Sequence, residues 1–78
     1  MGKNFRPLPT KCWEKFLIEN GYSHKRTKGS HDQWTKPKYR TIPVWGDEKE
    51  IPAFHLKSSC KSMGKTLDDL YLWADANC

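Results

Sequence analysis

Of the three histidines in this 78-residue sequence, His31 has the neighbours best suited to chemistry: Lys28-Gly29-Ser30-His31-Asp32-Gln33-Trp34. An unperturbed imidazole titrates at about 6.5, so it can take or give a proton near neutrality. Lys28 is a cation suited to a negatively charged transition state, and Gly29 lets the backbone approach an anion closely. Ser30 as a nucleophile needs an adjacent base, and His31 cannot easily turn back on its own neighbour. Residue type alone favours a plainer role for His31, a surface histidine bonded to a neighbour. The cysteines, Cys12, Cys60 and Cys78, form no CxxC pair and offer no ligand spacing with the histidines. They read as reduced thiols in a cytosolic protein, two of them half-buried, and neither a metal nor another cofactor is expected.

Charge suggests what this stretch meets. Between residues 25 and 40 lie Lys25, Arg26, Lys28, Lys36, Lys38 and Arg40, opposed only by Asp32. That window carries the whole net charge of +5, and elsewhere basic and acidic side chains balance at eight each. A charge run is often just a solvated face. Interleaving with His31, Trp34 and Tyr39 favours a polyanion instead. Phosphates supply the attraction, and an exposed ring such as Trp45 can stack on an unpaired base.

These residues need a scaffold, and the length supplies one domain. Only 13 residues are Leu, Ile, Val or Phe, a share low enough to raise disorder, but four Trp and three Tyr carry enough apolar area for a small core. Residues 1–9, with Pro7 and Pro9, read as an irregular arm and 10–78 as a single domain. Trp13, Phe16, Leu17 and Asn20 recur at helical spacing, which predicts a helix over 10–20 with Thr10 as N-cap and Gly21 as its left-handed stop. Residues 22–27 and 31–35 read as strands around the turn Lys28-Gly29-Ser30, and 40–45 as a third whose Pro43 belongs at an edge or bulge. Pro52 opens a second helix, striped by Leu56, Ser59, Cys60 and Met63 and ended by Gly64. Thr66 and Asp69 are spaced as a capping box for a last helix, with Leu67, Leu70 and Tyr71 on its apolar face. Trp13, Phe16 and Trp34 belong to the core, while Trp73 fits either the core or a protein interface. The fold class is α+β, in the order α-β-β-β-α-α, with helices on one face of a three-stranded antiparallel sheet. No apolar run is long enough for a membrane span and Met1–Arg6 carries no secretory signal, so a cytoplasmic location is expected.

Alternation then assigns the faces. If Trp34 points inward, His31, Gln33 and Thr35 face the other way, and inward Ile42 and Val44 send Thr41, Pro43 and Trp45 outward. His31 and Trp45 would share this open surface, with Lys28 and the Lys36–Arg40 loop at its rim. His24, with the parity of Tyr22 and Arg26, reads as structural or as a nucleic-acid contact. His55, in a first helical turn, reads as a surface residue.

Gly29-Ser30-His31 with Trp34 three residues on resembles the Gly-Ser-His-x-x-aromatic signature of the HicA toxin family, the small ribonucleases (mRNA interferases) of HicA–HicB toxin–antitoxin systems. Other landmarks match in order: Gly21-Tyr22 after the first helix, Ile42-Pro43 in a strand, and Ile51-Pro52, Leu56-Lys57 and Met63-Gly64 around the second helix. Two positions depart from it, Trp45 where many members carry a second His, and Phe54 where Gly is frequent. The resemblance implies a double-stranded-RNA-binding-domain-like α-β-β-β-α fold, extended here by a C-terminal helix from Thr66. It also implies metal-independent cleavage of mRNA and neutralisation by a HicB-like antitoxin, which would cover the His31 face. The family's catalytic histidine maps onto His31. Lys28, Gly29 and Ser30 would support charge beside it, and Lys25, Arg26, Lys36, Lys38, Arg40 and Trp45 would hold single-stranded RNA. The free toxin is expected to be monomeric. The rival readings are a non-catalytic RNA-binding module on the same fold and a protein whose basic face meets an acidic partner.

Overall fold

The computed structural model describes residues 5–28, 31–45 and 48–78, with Arg26, Thr27, Lys28 and His31 described by their backbone alone. Helix α1 spans Thr10–Glu19 and buries Thr10, Cys12, Trp13, Phe16 and Leu17. It stops as its glycine predicts. Gly21 has a φ of 89°, its N–H donates to the Ile18 carbonyl at 3.0 Å, and the Tyr22 N–H donates to the Leu17 carbonyl at 2.9 Å. The start differs from expectation. Pro9 is the N-cap residue, and Thr10 is instead the first helical residue. Its hydroxyl donates to the Glu48 carbonyl at 2.6 Å and its N–H to the Lys49 carbonyl at 2.9 Å, tying α1 to a distant loop.

Strands β2 (Ser23–Lys28), β3 (His31–Thr35) and β4 (Ile42–Val44) form an antiparallel sheet in the order β2-β3-β4. Asp32 pairs with Val44, Gln33 with Pro43 and Trp34 with Ile42. Trp34, Ile42 and Val44 are buried while Pro43 is exposed, so the sheet alternates as predicted and Pro43 lies on an edge strand. In β2 the alternation breaks. His24 pairs with Trp34 but Arg26 pairs with Gln33, which leaves Lys25 as the extra residue of a bulge. His24 therefore belongs to the core-side file and Arg26 to the opposite one. Their expected shared parity fails for that reason.

The last residues of the arm belong to the fold. Leu8–Pro9 forms β1, antiparallel to β5 (Glu50–Ile51), with Leu8 opposite Ile51 and Pro9 opposite Glu50. Tyr71 holds Arg6, two residues before β1: its hydroxyl donates to the Arg6 carbonyl at 2.6 Å and accepts from the Arg6 N–H at 2.9 Å. The Arg6 guanidinium sits 4.4 Å from the Tyr71 ring centroid and 2.9 Å from the Asp75 carboxylate.

Helix α2 (Ala53–Ser62) follows Pro52 and buries Leu56 and Cys60. Gly64, with φ 75°, closes it as Gly21 closes α1. Helix α3 (Leu67–Asn77) opens on the predicted capping box: the Asp69 N–H donates to the Thr66 hydroxyl at 3.1 Å, and the Thr66 N–H to the Asp69 carboxylate at 3.0 Å. The Thr66 N–H first, and then the Thr66 side chain, hold the Asp69 carboxyl below its ordinary value of 3.8. Leu67, Leu70, Tyr71 and Ala74 are buried, and half-buried Trp73 meets Phe16 edge-on at 5.1 Å. Among the described residues no helix is long and apolar enough to cross a membrane.

The cysteines differ from expectation. Cys12 and Cys78 are not reduced thiols but form a disulfide that fastens the end of α3 to α1, and none of the three cysteines is half-buried: Cys12 and Cys60 are buried and Cys78 is exposed. Cys60 is free and fully buried, and burial pushes its thiol up to about 12.

Candidate nucleic-acid interface

His31 opens β3 directly opposite Lys28, the last residue of β2. By register its position belongs with Gln33 and Thr35, in the file that alternates with Asp32 and Trp34. Gly29 and Ser30, expected from the sequence as a turn, lie outside the described residues. The fold thus brings the backbones of Lys28 and His31 together across the ladder, at one end of the sheet.

The remaining basic candidates stand elsewhere. The four steps of β3 from His31 to Thr35 carry the chain about 13 Å, at about 3.3 Å per residue. The Lys36–Arg40 loop therefore lies at the far end of the sheet from Lys28. Lys25 is exposed at the bulge, and Arg26 occupies the open-face register position opposite Gln33. Lys36 is half-buried, with its ammonium 4.4 Å from the Tyr39 ring centroid and 5.9 Å from that of Tyr22, so it braces the loop. Lys38 and Arg40 are exposed, and Lys38 takes the left-handed backbone with φ 72°.

Lys38, Tyr39 and Arg40 meet α2 across an open cleft of about 570 Å³, lined on the helix side by Ser58, Lys61 and Ser62. Three cations and three hydroxyls thus surround one space. Such a set can pair with phosphate oxygens by charge-assisted hydrogen bonds. Ser58, Lys61 and Ser62 were not among the sequence candidates. Their spacing of i, i+3 and i+4 puts them on one helix face, apart from the buried Leu56 and Cys60. Helix periodicity could have grouped them, but it does not say what that face meets.

Trp45 lies one residue beyond β4. Alternation predicts an exposed ring beside His31, yet Trp45 is half-buried, its ring centroid 4.5 Å from that of His55 in α2. Phe54 also contacts His55, at 4.4 Å. His55 is consequently a half-buried member of an aromatic group rather than a simple surface residue.

His24 has carboxylate company on the core-side file. Its Nε2 lies 3.3 Å from Asp32 Oδ1, and its ring meets Trp34 edge-on at 5.5 Å. Burial raises the Glu14 carboxyl, the Asp32 charge raises it further, and His24 and Lys11 pull it back. A histidine between acidic groups and a tryptophan is braced in place, but its register position faces away from the His31 file.

A family model described as the HicA toxin of bacterial toxin–antitoxin systems matches residues 13–65, from α1 through all three sheet strands to the end of α2. No curated protein and no solved structure matches the chain. The matched span covers more than half of the sequence, contains Gly29-Ser30-His31, and coincides with an α-β-β-β-α order consistent with a double-stranded-RNA-binding-like fold. The chain belongs to the HicA toxin family.

Proposed function

We propose that this toxin is a metal-independent endoribonuclease that cleaves single-stranded mRNA in the cytoplasm, with His31 as its general acid/base. Membership of the family makes a HicB-type antitoxin its partner. The observation that carries the RNA reading is the cleft in which Lys38, Arg40 and Lys61 converge with Ser58, Ser62 and Tyr39. A strand of phosphates held there and continued along the open file of β3 reaches the position of His31.

Cleavage of this kind needs little from the protein. The ribose 2′-oxygen attacks the adjacent phosphorus while the bond from phosphorus to the 5′-oxygen breaks. One product ends in a 2′,3′-cyclic phosphate and the other in a 5′-hydroxyl. The 2′-OH loses a proton and the leaving 5′-oxygen gains one, and a histidine titrating near neutrality suits either transfer. Lys28, opposite His31 in the ladder, offsets charge on the phosphorane, and the Gly29 and Ser30 N–H groups assist it. Trp45 stands where many relatives carry a second histidine, so His31 alone is assigned to proton transfer. Lys25, Arg26 and Lys36 add to the field that draws RNA to this face. The free toxin is monomeric, and the antitoxin silences it by covering the His31 face.

The test is cleavage of single-stranded RNA by the purified protein in EDTA, wild type against His31→Ala. Wild type should leave cyclic-phosphate and 5′-hydroxyl ends, while the variant should bind without cutting. Equal cleavage by both removes His31 from the mechanism. Binding without cleavage by wild type supports the non-catalytic RNA-binding module instead.

A further inference from the structure

We propose that the pocket between Trp45, His55, Glu48 and Glu50 is a nucleobase site that selects guanine in the RNA nucleotide beside His31. This rests on the reading of RNA as substrate.

Position comes first. Asp32 pairs with Val44, the last residue of β4, so His31 before the one and Trp45 after the other leave the ladder at the same end of the sheet. A base seated against Trp45 therefore lies at the His31 end of the sheet, within reach of a strand whose phosphate is at His31. The phosphate cleft lies at the other end of β3, so the two sites divide the work: one holds backbone, the other reads a base.

The pocket has the composition for reading. Its volume is about 270 Å³, room for one heterocycle and part of its sugar, and it is lined by Trp45, Glu48, Glu50, Ile51, Pro52 and His55. Trp45 and His55, whose ring centroids lie 4.5 Å apart, give it an aromatic wall, and base–aromatic stacking tolerates any base. Selectivity falls to the carboxylates. They repel phosphate, and as acceptor-only groups they match an edge that offers two neighbouring donors. Guanine presents N1–H and N2–H₂ side by side. Uracil offers one N–H between two carbonyls, and adenine and cytosine each offer an amine next to an acceptor.

The backbone that carries the two exposed glutamates is tied to the rest of the fold. The Glu48 N–H donates to the Trp45 carbonyl at 3.1 Å, and Thr10 donates to the Glu48 and Lys49 carbonyls. Glu50 is paired with Pro9 in the β1–β5 ladder. His55 is set in the first turn of α2 by its N–H bond to the Pro52 carbonyl at 3.1 Å. A backbone fixed in this way leaves only the glutamate side chains to be ordered on binding.

The experiment measures affinity rather than cleavage. Short 2′-O-methyl RNAs lack the attacking hydroxyl, so wild type binds without cutting them. An oligo-U strand bearing one central guanine is compared by fluorescence anisotropy with the same strand bearing adenine, inosine or uracil there. Wild type should prefer guanine over uracil by about tenfold, the discrimination of one bidentate base contact, with inosine between them because it lacks the N2 amine. Glu48→Gln/Glu50→Gln should abolish the preference while leaving oligo-U binding intact. Trp45→Ala should weaken binding at the guanine strand, and Trp45→Phe should restore most of it. Equal wild-type affinities for guanine and uracil overturn the pocket and leave the RNA reading standing, as does a guanine preference that survives the double substitution. Failure to bind any of the strands overturns both.

Discussion

Removing the charges of the phosphate cleft tests the RNA path where its geometry is most defined. Each cation–phosphate contact to a single strand contributes about 0.7 to the slope of log affinity against log salt concentration, so losing Lys38, Arg40 and Lys61 should flatten that slope by about 2. Between about 50 and about 200 mM salt, wild type should then lose about twentyfold more affinity than the triple variant. The substitutions must leave the fold alone. Arg40 and Lys61 are exposed and tolerate Gln, but Lys38 has φ 72°, where Asn is accommodated better than most side chains, so Lys38→Asn is the appropriate change. Lys36 is left intact, because its ammonium rests on the Tyr39 and Tyr22 rings and its removal would alter packing as well as charge. Filter binding of an uncleavable 2′-O-methyl RNA over a salt series gives both slopes, with Lys11→Gln on α1 as a control that keeps the wild-type slope. Equal slopes for wild type and the triple variant would refute the cleft. So would a loss that varied strongly with base sequence, since phosphate contacts carry none.

Two further predictions concern stability. The Cys12–Cys78 disulfide joins residues 66 apart, a loop whose closure contributes about 4 kcal/mol in the chain-entropy description. Dithiothreitol should lower the melting temperature of wild type but not that of Cys78→Ser, and alkylation of the reduced native protein at mildly alkaline pH should spare Cys60, whose buried thiol is pushed up to about 12. Thr66→Ala should cost about 1 kcal/mol through loss of the α3 cap, measured by urea unfolding. The Asp69 carboxyl is held low first by the Thr66 backbone N–H and then by its hydroxyl, so its contribution is complete above 3.8 and lost as pH falls through the lowered value. The melting-temperature gap between wild type and Asp69→Asn should therefore hold at neutral pH and narrow in acid below 3.8.

What the sequence makes legible here is short in range. Gly21 and Gly64 stop helices because the left-handed backbone they adopt is local, and the Thr66–Asp69 box lies within one helical turn. Trp34, Ile42 and Val44 alternate as written because β3 and β4 pair without interruption. Features that depend on distant partners have no such signature. Two-residue strands such as Leu8–Pro9 and Glu50–Ile51 are too short for any period, and each exists only because the other is near. The Lys25 bulge adds one residue without Gly or Pro to mark it, yet it changes the face of everything before it in β2. Cys12 and Cys78 show no framework spacing, because α3 brings them together by packing back on α1.

The same distinction governs the candidate site. The window from Lys25 to Arg40 is continuous in sequence, and on that basis it reads as one basic patch around His31. In the fold, β3 pulls it apart by about 13 Å, with Lys28 and His31 at one end and Lys38 and Arg40 at the other. The far end is then completed by Lys61, a residue outside the window, which joins because α2 runs past the Lys36–Arg40 loop. The near end gains Trp45, just past β4, and His55 of α2, together with two glutamates that a net-charge argument counts only as a subtraction. On the proposed reading, charge density along the chain points to a polyanion, and the separation of the two ends requires that anion to be extended. A compact phosphate ligand would reach one end of the sheet, whereas a strand of RNA reaches both.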